Sequence, residues 1–235
     1  MKSRLSFLFF RSLAGLALLV PACAWSQCTP STYAVTSSND DGATGELRWA
    51  VTQAEACPGS TVNFNLSSPS TITLTSRILI NASMTINGPG ATGLTISGGQ
   101  PPNNGVVDSS NTRIFFVDPG SGSTVSISNL TLANGVALGG YSCSGGGAAG
   151  MGGAIFQNSG TLNVTGVVFN SNAAAGGPSG VECGISTGYS APGGGGFGGN
   201  APAIQAQNAG FGGPGGDLGG AGGSWTNGGA GGTGR

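Results

Sequence analysis

Along most of the chain apolar positions alternate with polar ones, and one short segment departs from that rhythm. From Thr61 to about Asn172 the period is two: Val62, Phe64 and Leu66, then Ile72 and Leu74, then Ile78 and Ile80. Successive side chains on a strand point to opposite faces, so this spacing predicts short strands with one apolar face. A sharper unit recurs: two alternating apolar residues, a polar residue, then Gly or Asn. It reads Met84-Thr85-Ile86-Asn87-Gly88, Leu94-Thr95-Ile96-Ser97-Gly98, Val125-Ser126-Ile127-Ser128-Asn129 and Leu162-Asn163-Val164-Thr165-Gly166. The last two copies stay in phase further, at an offset of 37 residues. Leu130 and Leu132 match Val167 and Phe169, Asn129 matches Gly166, and Gly135 matches Asn172. Gly and Asn accept a left-handed backbone most readily. Their exchange predicts left-handed corners at Gly88, Gly98, Asn129 and Gly166, and a like demand where Gly135 matches Asn172.

Short strands with inward apolar residues and tight corners describe the coils of a parallel β-helix. An antiparallel sandwich is the alternative, but it wants two-residue hairpin turns, and the gaps here are a single corner residue or long. The exception to the period of two lies near the start. Tyr33 to Thr36 reads as a strand and Asn39 to Gly42 as a turn. Gly45 to Ala56 then reads as a helix, with Leu47, Ala50, Val51 and Ala54 on one face. Thr44 is its expected N-cap, Glu46 falls in the first turn, and Cys57-Pro58-Gly59 stops it. One amphipathic helix ahead of strands is suited to covering an end of a sheet stack.

Residues 1–26 read as a secretory signal: basic Lys2 and Arg4, an apolar run from Leu5 to Val20, then Pro21 and small residues. Cleavage after Ser26 or after Ala24 fits, and Pro21 argues against lipid attachment at Cys23. The exported chain then keeps Cys28, Cys57, Cys143 and Cys183, an even number that suggests disulfides. Three connectivities exist. Cys28 with Cys57 and Cys143 with Cys183 is favoured, because each pair brackets one local unit. The chain thus divides into a signal at 1–26, a β-helix with its capping helix at 27–175, and a Gly-rich segment at 176–235.

Composition explains the surface and removes several chemistries. Only 6% of the 235 residues are charged and none is His, while the apolar share is an ordinary 38%. Uncharged Thr, Ser and Asn on the outward strand positions account for the missing charge. Without His there is no Ser-His-Asp or Cys-His nucleophile and no His-containing metal site. A net charge of -1 argues against a nucleic-acid partner, whose phosphates need a basic face. Most of the 48 glycines follow Gly135. The stretch from Gly176 is too glycine-dense to offset its ordering entropy by burial, so a flexible arm is expected; extended packing on the flank is the alternative. No further apolar stretch is long enough to span a bilayer as a helix.

The segment Gly152-Gly153-Ala154-Ile155, followed by Phe169-Asn170-Ser171-Asn172, carries a G-G-A-I tetrapeptide and an F-x-x-N. It resembles the repeat of the chlamydial polymorphic outer-membrane proteins and related bacterial β-helix surface proteins. Tyr33 to Ala56, with its strand, Asp-rich turn and G-E-L-R-W-A helix, resembles the N-terminal cap of that group, where many relatives place Ser at the position of Glu46. The resemblance runs from Tyr33 to Asn172. It implies a right-handed parallel β-helix, export, and an adhesin-like passenger at the outer membrane or outside the cell, meeting host or envelope glycans and proteins. Family members that are autotransporters end in a membrane β-barrel. None follows here, so the resemblance also leaves room for a fragment of a larger autotransporter or for a separate barrel partner.

Many β-helices are polysaccharide lyases or hydrolases, so an enzyme is the other reading. Polygalacturonase-type sites need an N-T-D motif and a His, and this chain has Asn111-Thr112-Arg113 and no His. A calcium-dependent lyase needs clustered carboxylates and an Arg base. Asp108, Arg113 and Asp118 are the nearest approach, and a surface salt bridge is the simpler account of them. Asp40 and Asp41 point apart on an extended chain and fit a turn better than a glycosidase pair. One Gly-Gly-x stretch, Gly212 to Gly220, imitates a calcium-binding nonapeptide but occurs once. No catalytic residue, metal ligand or cofactor site is therefore assigned, and the expectation is a non-enzymatic surface protein.

Overall fold

A computed structural model of the chain describes residues 28–101, 109–140 and 148–177. Strand β1 (Thr32–Val35) leads to helix α1 (Leu47–Ala56), the one helix among these residues. Then come β2 (Ser60–Phe64), β3 (Ser70–Thr73), β4 (Ile78–Ile80), β5 (Met84–Asn87) and β6 (Leu94–Ser97). After them come β7 (Phe115–Val117), β8 (Thr124–Ser128), β9 (Thr131–Ala133) and β10 (Val136–Leu138). The last four are β11 (Ile155–Gln157), β12 (Thr161–Thr165), β13 (Val168–Asn170) and β14 (Ala173–Ala175).

These strands form several parallel sheets, in the orders β1-β2-β5-β8-β12, β13-β9-β6-β3, β11-β7-β4 and β10-β14. Every pairing among the described strands is parallel, so the antiparallel sandwich is set aside. The period-two pattern explains the core. Val62, Ile86, Ile127 and Val164 lie in register across one sheet, and Ile72, Ile96, Leu132 and Phe169 across another. The first three of each row are fully buried, and with Ile78, Ile80, Phe115, Val117 and Val125 they make one core cluster. No helix among the described residues is long and apolar enough to cross a membrane.

Helix α1 buries Leu47, Ala50, Val51 and Ala54, the face its spacing predicts, against β1, β2 and part of β4. Its Trp49 meets Tyr33 edge-on, with ring centroids 6.0 Å apart. The start differs from expectation. The cap is Glu46 rather than Thr44, and its side chain makes no capping bond to the helix. Its carboxylate turns back instead, and Oε2 accepts the backbone N–H of Asp41 at 2.8 Å, Gly42 at 2.7 Å and Ala43 at 3.2 Å. Three convergent amides outcompete a single helix-end contact for the charge.

The corners also need correction. Asn129 and Gly166 are left-handed, with φ of 57° and 64°, as their exchange predicts. Gly88 and Gly98 are not. Close approach governs there: a Cβ on Gly88 would lie 2.2 Å from Asn129 O, and one on Gly98 would lie 2.2 Å from Thr112 O. Likewise the left-handed residues near Gly135 and Asn172 are the ones just before them, Asn134 at 56° and Ser171 at 52°.

Candidate functional site

The sheet β11-β7-β4 sets Leu79, Phe116 and Phe156 side by side in register. Phe116 and Phe156 stack at a tilt, with centroids 5.4 Å apart. Two arginines gather on them. The guanidinium of Arg77 lies 5.7 Å from the Phe116 centroid, and that of Arg113 lies 5.7 Å from Phe116 and 5.4 Å from Phe156. Such stacking suits guanidinium groups, which are planar and weakly hydrated. A cleft of about 180 Å³ opens beside them, lined by Arg77, Asn111, Thr112, Arg113 and the strand Val136–Leu138.

Arg113 is buried. Its Nε donates to Gly152 O and its Nη2 to Met151 O, each at 3.0 Å, so it ties β7 to the turn before β11. Asp118, one of its expected partners, accepts hydrogen bonds from Asn158 Nδ2 at 3.0 Å and Ser159 Oγ at 2.6 Å. The other, Asp108, lies outside the described residues. Asn111 is another organiser. Its Nδ2 donates to Gln100 O and Asn134 O, and its Oδ1 accepts from Gln100 N. The lining of the cleft is mainly polar and combines two guanidinium groups, an amide and a hydroxyl with the strand Val136–Leu138.

The described carboxylates are committed to the scaffold. Asp40 pairs with Arg48 through two contacts, 2.9 Å from Nε and 2.8 Å from Nη2, and also accepts Thr75 N and Thr75 Oγ1. The same Arg48 donates to Ser76 O and Arg77 O, which anchors α1 to the segment before β4. Asp41 accepts Ala43 N and shapes the turn, in keeping with its reading as a turn residue. Glu55 accepts Asn81 N at 3.0 Å. Burial pushes its pKa up from the ordinary 4.5, and the Asn81 amide opposes that shift. Among the described residues no three of His, Cys, Asp and Glu gather where they could hold a metal ion.

The tetrapeptide residues have separate geometric tasks. Gly152 is left-handed, with φ of 65°, and a Cβ on Gly153 would lie 2.2 Å from Ala173 O. Ala154 is buried, and Ile155 packs on the core. Asn172 Oδ1 accepts Gly135 N at 2.7 Å and its Nδ2 donates to Leu132 O at 2.8 Å, so its amide stitches two layers at a corner. Phe169, in contrast, is 53% exposed. Cys28 and Cys57 form the favoured disulfide. Cys143 and Cys183 lie outside the described residues, as do the signal segment and nearly all of 176–235.

Sequence reasoning missed Asp40 with Arg48, and also Asn111. The first had a legible trace, an acid in a D-D-G turn with an Arg eight residues on. The second had none, because its partners come from two distant segments. Compared with protein-family models, curated proteins and solved structures, the chain matches none.

Proposed function

We propose that this chain is an exported right-handed parallel β-helix that acts at the cell surface or outside the cell as a non-enzymatic, adhesin-like or structural protein. Its strands would be successive sides of one solenoid. Support for coiling comes from registers that repeat in every sheet and from the near-universal right-handedness of parallel crossover connections. The observation that carries the functional reading is a polar ladder. Thr32, Thr61, Thr85, Ser126 and Asn163 lie in one row across five strands, with Asn63, Asn87, Ser128 and Thr165 in the next outward row. Parallel strands stack about 4.8 Å apart, so hydroxyl and amide groups repeat at that interval along a flat face. Such a face suits weak, multivalent contact with glycans or proteins of the envelope or of a host. The scaffold roles of Asp40, Asp41, Glu46, Glu55 and Asp118 favour it over a lyase.

The test pairs location with binding. The chain should appear in the envelope or medium of the producing cell. It should be retained on immobilised envelope polysaccharide, and a Thr85→Lys, Ser126→Lys variant should lose about tenfold or more of that retention. Retention inside the cell, or unchanged retention by the variant, would sink the proposal. Calcium-dependent release of unsaturated sugars, lost in Arg113→Lys, would instead establish the lyase.

A further inference from the structure

Outward strand positions in this chain are mostly Thr, Ser and Asn, as in the row Thr32, Thr61, Thr85, Ser126 and Asn163. The sheet β11-β7-β4 departs from that rule. Phe115 and Val117 belong to the core cluster, so by strand alternation Phe116 between them faces outward, in register with Leu79 and Phe156. It is nevertheless only 1% exposed. Arg77 and Arg113 each set a guanidinium 5.7 Å from its centroid, and the Phe156 ring leans on it at 5.4 Å. An aromatic row outside the core thus seats two of the three described arginines at one place.

The cleft beside that row has a fixed wall and an exposed one. Arg113 is buried and held by Gly152 O, by Met151 O and by the Phe156 ring. Asn111 spends both amide donors on Gln100 O and Asn134 O, which fixes the segment that carries Thr112 and Arg113. Thr112 commits its backbone to Gly98 O and Val136 N, so its side chain is what it offers the cleft. Arg77, in contrast, is exposed, and Val136–Leu138 supplies an aliphatic side that ends in the exposed Leu138. A guanidinium fork matches a carboxylate through two parallel hydrogen bonds. The volume, about 180 Å³, lies below the roughly 300 Å³ at which drug-sized pockets begin, so the cleft fits one small unit of a ligand.

We propose that this cleft binds a carboxylated monosaccharide unit, a uronic or a sialic acid. Arg77 takes the carboxylate, Arg113 adds a fixed positive charge, the Thr112 side chain meets a ring hydroxyl, and Val136–Leu138 packs on the C–H face of the sugar. Asn111 is a positioning residue. A bare anion would leave the aliphatic side and the hydroxyl idle, and a neutral sugar would draw little on the two guanidinium groups. The cleft is built on other sheets than the polar ladder of β1-β2-β5-β8-β12 and does not depend on that ladder binding anything.

The experiment titrates the isotope-labelled full chain with D-glucuronate, N-acetylneuraminate, D-glucose, acetate and sulfate, and follows the Arg77, Arg113, Thr112 and Leu138 signals by NMR. At least one sugar acid should shift all four with a Kd of about 1 mM, and the one that binds tighter names the source. Glucose, acetate and sulfate should bind about tenfold more weakly or less. Arg77→Gln should weaken the sugar acid about tenfold, and Arg77→Lys by a smaller factor. Leu138→Glu, at the exposed rim, should weaken it likewise by repelling the carboxylate, so a folding defect in one variant does not decide the matter. Urea midpoints of the variants should match the unaltered chain, and Thr85→Lys, Ser126→Lys should leave the Kd unchanged. No shift at these residues would overturn the proposal, as would equal affinity for acetate, sulfate or glucose. Unchanged affinity in both Arg77→Gln and Leu138→Glu would also overturn it, by placing the sugar elsewhere.

Discussion

Removing the carboxylate of Asp40 should be among the most damaging single changes at the helix-capped end. The side chain is 1% exposed, against 28% for its partner Arg48. One oxygen accepts Arg48 Nε, and the other accepts Arg48 Nη2, Thr75 N and Thr75 Oγ1. Breaking a buried pair by deleting one partner costs about 3–5 kcal/mol, because the other charge is left uncompensated. Arg48 is partly exposed and keeps two carbonyl acceptors, Ser76 O and Arg77 O, so part of its charge can be rehydrated. That lowers the expectation for Asp40→Ala to about 2–4 kcal/mol. Asp40→Asn should cost nearly as much, since an amide NH₂ in either oxygen position faces at least one donor. Urea unfolding of the disulfide-intact chain measures this, with unchanged m-values required before the midpoints are compared. A double-mutant cycle with Arg48→Ala should show coupling of about 1.5–3 kcal/mol. Burial also keeps the loss nearly unchanged by added salt. A loss under about 0.5 kcal/mol, or no coupling, would refute the reasoning and place this contact with ordinary surface pairs.

Other expectations follow from the same contacts. Gly98→Ala should cost about 3 kcal/mol because its Cβ meets backbone on both sides. Gly42→Ala, which meets nothing and bears only the strain of φ 92°, should cost about 1 kcal/mol in the same assay. Glu55 has a raised pKa, so the folded state holds its proton more tightly and its contribution falls as pH rises through the ordinary 4.5 and above. Glu55→Gln should therefore gain stability relative to the unaltered chain at pH 7, and the gain should vanish in melts below that window. Replacing Cys28 and Cys57 together by Ser frees a loop of sequence separation 29 and should lower stability by about 3–4 kcal/mol in thermal or urea unfolding.

The strands were legible because their demand is local. A residue such as Ile86 or Ile127 has to be apolar whichever layer it meets, and the period of two declares it. The buried face of α1 was legible for the same reason. Corners were read less well, since Gly answers two different demands. Asn129 and Gly166 exchange because both tolerate a left-handed backbone, whereas Gly88 and Gly98 are required for lack of space beside backbone from elsewhere in the chain. No single segment reveals that space. The cap of α1 was misplaced because Glu46 fits a first-turn acid by sequence, while its carboxylate serves the turn before the helix. Arg113 was read with its neighbours in sequence, yet it also donates to the backbone carbonyls of Met151 and Gly152, almost 40 residues away.

The parallel stacking on which the proposed coiling rests is most directly tested by nuclear Overhauser contacts in the isotope-labelled protein. The account predicts one parallel ladder linking Val62 to Ile86, Ile86 to Ile127 and Ile127 to Val164. A second should link Ile72 to Ile96, Leu132 and Phe169, with the evenly spaced cross-strand pattern of parallel pairs. Close Hα–Hα contacts between sequential strands, the mark of antiparallel hairpins, would contradict it.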